Sequence, residues 1–111
     1  MQIVTLLANL AIKPKEGSEE RLRLEHKASP VKADPEVRIN TGSQVNCIGE
    51  EVFKQLELPS SILTGPKETR REGNIDIKDL GKVILKACHK HHRKGGQPSW
   101  IQFHVIRGLG N

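Results

Sequence analysis

The stretch from Val37 to Leu58, VRINTGSQVNCIGEEVFKQLEL, decides how this chain is read. Val37, Ile39 and Thr41 alternate with Arg38 and Asn40, the period of two that marks a strand with one buried face. Gly42-Ser43 ends that strand in a turn, and Val45 to Ile48 makes a short apolar strand. From Glu50 to Leu56 the apolar residues Val52, Phe53 and Leu56 fall on one side of a short helix. Glu50 and Glu51 suit the solvated start of that helix, where its dipole favours negative charge. Leu58-Pro59 stops it.

Outward from this stretch the chain reads mainly as β-structure. Met1 to Ile12 is apolar, a strand or short helix, and Lys13 to Glu20 is a polar loop. Arg21 to Glu25 alternates, with Leu22 and Leu24 on one side, as a half-buried strand does. Ser29 to Pro35 holds two prolines and reads as a connection. Downstream, Gly65 to Gly73 is polar and reads as a flexible segment. Ile75 and Ile77, then Val83 and Leu85, predict two strands interrupted at Asp79-Leu80-Gly81. Gly95 to Pro98 reads as a hairpin tip. Trp100 to Ile106 is the last strand, with Ile101, Phe103 and Val105 on one face and Gln102, His104 and Ile106 on the other.

The chain has 111 residues, enough for one small domain that buries roughly 65% of its unfolded surface. Its core must be aliphatic, because Phe53, Phe103 and Trp100 are its only aromatic residues. No apolar run approaches the roughly 20 residues of a membrane span, and the first twelve residues make a poor signal peptide. Two cysteines, Cys47 and Cys88, make no disulfide framework and are expected to be reduced thiols of an intracellular, cytoplasmic protein. The net charge of +5 is uneven: residues 66–111 carry ten Lys/Arg against four acids. It is densest from Lys82 to Lys94, with five Lys/Arg, three His and no acid.

The ordered set Asn40-Thr41-Gly42-Ser43, short strand, helix and Leu58-Pro59 resembles the active-site segment of retropepsin-like aspartic peptidases. These are the proteases of retroviruses and of Gypsy- or Pao-like LTR retrotransposons. Further blocks resemble the same family. Gly73-Asn74-Ile75-Asp76-Ile77 is similar to its second flap strand, Leu80 to Leu85 to the strand after it, and Phe103 to Ile106 to its late strand. The resemblance implies a mainly β, retropepsin-like acid-protease half-barrel with one short helix, over residues 29–111. Residues 1–28 form an N-terminal segment whose role stays open. The family's activity is peptide-bond hydrolysis by a homodimer, each subunit supplying one aspartate, with no cofactor and no metal. Two carboxylates that close share one proton and titrate as a pair. By resemblance Thr41 hydrogen-bonds across the dimer interface, Gly42 leaves room for backbone and substrate, and Ser43 donates to the catalytic carboxylate. Gly73 and Asn74 belong to the flap over a peptide or polyprotein substrate.

Two departures qualify what the resemblance implies. Asn40 stands where the family has its catalytic aspartate, and a carboxamide can hydrogen-bond a water but cannot deprotonate it. The expectation is a pseudoenzyme, folded and catalytically inactive or severely impaired. The chain also stops at Gly108 to Asn111, before the family's Ile-Leu-Gly turn and C-terminal helix, which reads as a shortened domain.

Competing readings come from the remaining motifs. Cys88-His89-Lys90-His91-His92 contains zinc-type ligands, yet consecutive residues on a strand alternate faces and do not converge on one ion. Cys47 reads as a small core residue. The alternative function is a small basic protein that binds nucleic acid or an acidic partner through Lys82 to Lys94. That segment contains no aromatic residue for base stacking, and Trp100 beside it reads as core.

Overall fold

The computed structural model describes residues 3–6, 20–39, 45–72, 75–89 and 98–107. In chain order its elements are β1 (Ile3–Leu6), β2 (Glu20–His26), β3 (Ser29–Ala33), β4 (Glu36–Ile39), β5 (Cys47–Gly49) and α1 (Glu50–Gln55). A 3-10 turn (Ser60–Ile62), β6 (Glu68–Glu72), β7 (Ile75–His89) and β8 (Ser99–Arg107) follow. The described residues are therefore mainly β with one short helix. Among the described residues no helix is long and apolar enough to cross a membrane.

All eight strands belong to one sheet in the order β3-β2-β4-β1-β5-β8-β7-β6, and β2 also pairs with β7. That extra pairing closes a ring of six strands, β2-β4-β1-β5-β8-β7, with β3 and β6 extending from it. Closure satisfies backbone groups that an open edge would leave unpaired. Most neighbours are antiparallel, but β1 runs parallel to β4 and β5 runs parallel to β8. Within residues 1–28, whose role the sequence leaves open, β1 and β2 are thus strands of the common sheet. Leu22 and Leu24 on β2 are fully buried.

Alternation on the long strands builds the core. Val83 and Leu85 on β7 lie opposite Phe103 and Ile101 on β8, and Ala87, Val105 and Val52, Phe53 and Leu56 of α1 belong to the same cluster. The core is aliphatic apart from its two phenylalanines.

Four expectations are corrected. Ser29 to Pro35 is not merely a connection: Ser29–Ala33 is strand β3, paired with β2. Pro30 is tolerated because β3 is the last strand of the order, where a missing N–H costs no ladder bond. Within the polar 65–73 segment, Glu68–Glu72 is strand β6, paired along its length with β7. Its charged residues suit an edge. The two strands expected around Asp79-Leu80-Gly81 are one, β7, whose register with β8 shifts between Asp79 and Lys82. Gly81 adopts φ +124°, and a Cβ there would lie 3.0 Å from Leu63 Cβ and 3.1 Å from Thr64 O. A glycine lets the strand bulge and continue where another residue would break it. Trp100, finally, is 55% exposed rather than core. Once Ile101, Phe103 and Val105 face inward, the period of two turns Trp100 outward.

Helix α1 stops at a strained residue. Glu57 follows it with φ 54°, in the left-handed region that favours glycine, and its N–H donates to Lys54 O at 3.0 Å. Glu57→Gly is expected to stabilise the fold by roughly 1 kcal/mol, read as a higher urea midpoint at unchanged slope. An unchanged or lower midpoint would refute the strain.

Candidate functional site

The sequence points to the turn after β4, and the fold shows what frames it. β4 and β5 are joined in sequence through residues 40–44 and lie on either side of β1. Leu6 pairs with Ile39 at the end of β4, and Thr5 pairs with Cys47 at the start of β5. Gly49, extended at φ −71° and ψ 153°, turns β5 directly into α1. Asn40, Thr41, Gly42 and Ser43 themselves lie outside the described residues, as do Gly73 and Asn74. The hairpin carrying the latter pair is described: Glu72 of β6 pairs with Ile75 of β7, and residues 73 and 74 join them.

The approach to β5 is fastened to β8. His104 N–H donates to Asn46 O at 2.8 Å, and Cys47, Ile48 and Gly49 run in parallel register with His104, Val105 and Ile106. Cys47 is half-buried rather than a core residue.

A carboxylate that sequence reasoning missed anchors this region. Asp79 is almost fully buried at the β7 bulge, and its Oδ1 accepts the Gly81 N–H at 3.0 Å. Its Oδ2 lies 2.7 Å from Nδ1 of His104. A carboxylate only accepts, so the shared proton is assigned to Nδ1. The pair cross-links β7 to β8 at His104, the residue whose backbone N–H donates to Asn46 O. Asp79-Leu80-Gly81 is its signal in the sequence: an acid two residues before a glycine, inside an otherwise strand-like run.

Arg107 and Glu50 form a second cross-link, Nε to Oε1 at 3.2 Å and Nη2 to Oε2 at 3.0 Å. This fork joins the end of β8 to the start of α1. The hydrogen bond from Arg107 lowers the Glu50 pKa from its ordinary value, against the opposing effect of burial. Glu50 is therefore a structural partner and not simply a solvated helix start. A cavity of about 380 Å³ lies alongside, lined among others by Phe53, Lys54, Leu80 and Arg107.

A cavity of about 410 Å³ lies between the β2–β3 turn, the outer face of β7 and β8, and the chain after the 3-10 turn. His26 on its wall is nearly buried, and its Nδ1 accepts the Ala28 N–H at 3.0 Å. Burial, and then the charge of Lys27, hold its pKa below the ordinary 6.5. As pH falls through about 6.5 the unfolded chain binds a proton at His26 before the folded one does. Stability from this group is thus complete above about pH 6.5 and declines below it. His26→Asn keeps an acceptor for Ala28 and is expected to flatten this decline in urea midpoints taken from pH 8 to pH 5. A difference between the two proteins that stays constant with pH would refute the assignment.

Compared with protein-family models, with curated proteins and with solved structures, the chain matches none.

Proposed function

We propose that this chain is a retroelement-derived, retropepsin-like aspartic endopeptidase homologue whose catalytic position is occupied by Asn40. The observation that carries the reading is the arrangement around residues 40–44. The sequence Asn40-Thr41-Gly42-Ser43 connects β4 to β5, two strands that flank β1, and β5 runs straight into the only α-helix among the described residues. The β6–β7 hairpin downstream, with Gly73 and Asn74 at its junction, supports a flap over a substrate cleft. In this reading two copies of the chain bring their turns together at a two-fold axis.

The chemistry follows from the side chain at position 40. Peptide hydrolysis by a carboxylate dyad needs one group to take a proton from water and one to give a proton to the scissile carbonyl. Two carboxamides offer N–H donors and weakly basic oxygens, with no proton to exchange. The chain keeps the means to hold an extended peptide and lacks the means to cleave it. A paired cleavage assay on the wild-type chain and Asn40→Asp, run on a mixed peptide library at about pH 5, tests this reading. Cleavage by Asn40→Asp alone supports it, and cleavage by the wild type overturns the role given to Asn40.

A further inference from the structure

Trp100 and Ile84 are the large apolar side chains most exposed among the described residues, at 55% and 54%. They are not scattered. Lys82 pairs with His104, Ile84 with Gln102 and Lys86 with Trp100, so the strand register lines these side chains up on the outward face of β7 and β8. Trp100, Ile84, Gln102 and Lys82 all line the 410 Å³ cavity, and Lys27 and His26 close it from the β2–β3 turn.

The charge around this concavity has one sign. No carboxylate lines it. Glu25 lies across from Lys86 in the β2–β7 register, but its Oε1 is held 3.1 Å from the Lys32 ammonium. No carboxylate pairs with Lys27, Lys82 or Lys86 among the described residues. With Nδ1 of His26 engaged as an acceptor, the neutral ring leaves its Nε2–H as a donor. Gln102 adds an amide with donor and acceptor.

We infer that this groove binds single-stranded nucleic acid, one base stacking on Trp100 against Ile84 while Lys27, Lys82 and Lys86 contact the flanking phosphates. The inference goes beyond the peptidase reading and stands without it. A flat apolar platform ringed by ammonium groups fits a ligand that presents aromatic faces and phosphates together, and unpaired strands do. A duplex hides its base faces in the stack, so it offers the lysines a backbone and the indole nothing. An acidic peptide likewise satisfies the lysines and leaves the indole in water.

Trp100 is the only tryptophan of the chain, so its fluorescence reports on the site directly. The test titrates the intact chain with 12-residue oligouridine and, separately, oligodeoxythymidine, following fluorescence quenching and the polarisation of labelled strands. Both are expected to quench Trp100. Trp100→Ala should weaken binding about 5- to 150-fold, the range reported for loss of one base–aromatic stack. Trp100→Phe should restore part of it. The slope of log K against log[salt] should be about −2 for three phosphate contacts, and about −0.7 in Lys27→Gln/Lys82→Gln. Unchanged urea midpoints establish that these variants fold. Three results would overturn the proposal: affinity equal in the wild type and Trp100→Ala, binding to a duplex or polyglutamate as tight as to the single strand, or a fluorescence change with protein concentration alone, which marks a second copy as the occupant.

Discussion

Asn40→Asp is expected to raise peptide hydrolysis by at least about 10²–10⁴-fold over the wild-type chain, the value of one general acid–base role. The substitution supplies both roles at once, because each subunit of the proposed dimer contributes the same residue. It changes an amide to a carboxyl of nearly equal size, so a gain in activity would come from chemistry and not from repacking. At about pH 5 a carboxylate pair retains its shared proton, whereas an isolated carboxyl is largely ionised. The restored activity should therefore follow a bell-shaped pH profile and be blocked by a transition-state inhibitor of aspartic peptidases. Sedimentation of the same samples gives the assembly state. A dimeric Asn40→Asp protein that cleaves nothing would sink the peptidase reading.

Phe103→Ala is the substitution with the largest expected effect on the fold. Phe103 is completely buried, lies across from Val83 and is flanked on its face by Ile101 and Val105. Removing its ring leaves a cavity that a barrel cross-linked by strand pairing cannot collapse, at a cost of about 3–5 kcal/mol. A domain of this size holds roughly 5–15 kcal/mol in total, so the loss is about a fifth or more of the whole. A urea titration reads it as a midpoint shift at unchanged slope. Trp100→Ala, three residues earlier on the same strand, should change stability by no more than about 0.5 kcal/mol. Equal losses at the two positions would refute the inward and outward assignment of β8.

The legible part of this fold was local. The alternation of Leu22 and Leu24, the face of Val52, Phe53 and Leu56, and the inward row of Ile101, Phe103 and Val105 could each be read from spacing and burial preference. The misread segments share a cause. Ser29–Ala33 and Glu68–Glu72 hold proline or consecutive charges that argue against a strand, and both are strands because a neighbouring strand offers them a ladder. Gly81 looks like a break and is a bulge, since Asp79 and His104 bridge the chain across it. The expectation at Asn40 to Ser43 rests on residue type alone, since those residues lie outside the described ones.

Sequence alone determined the mainly β class, the one short helix among the described residues, the aliphatic core and the absence of a carboxylate at position 40. Those depend on side-chain period, volume and functional group, which each residue carries with it. Tertiary structure alone decided that β2 closes on β7, that Asp79 is buried against His104, and that Trp100 stands outside among lysines from β7 and the β2–β3 turn. Those facts depend on which strands become neighbours, and the choice is made by burying all the apolar faces together rather than by any one segment.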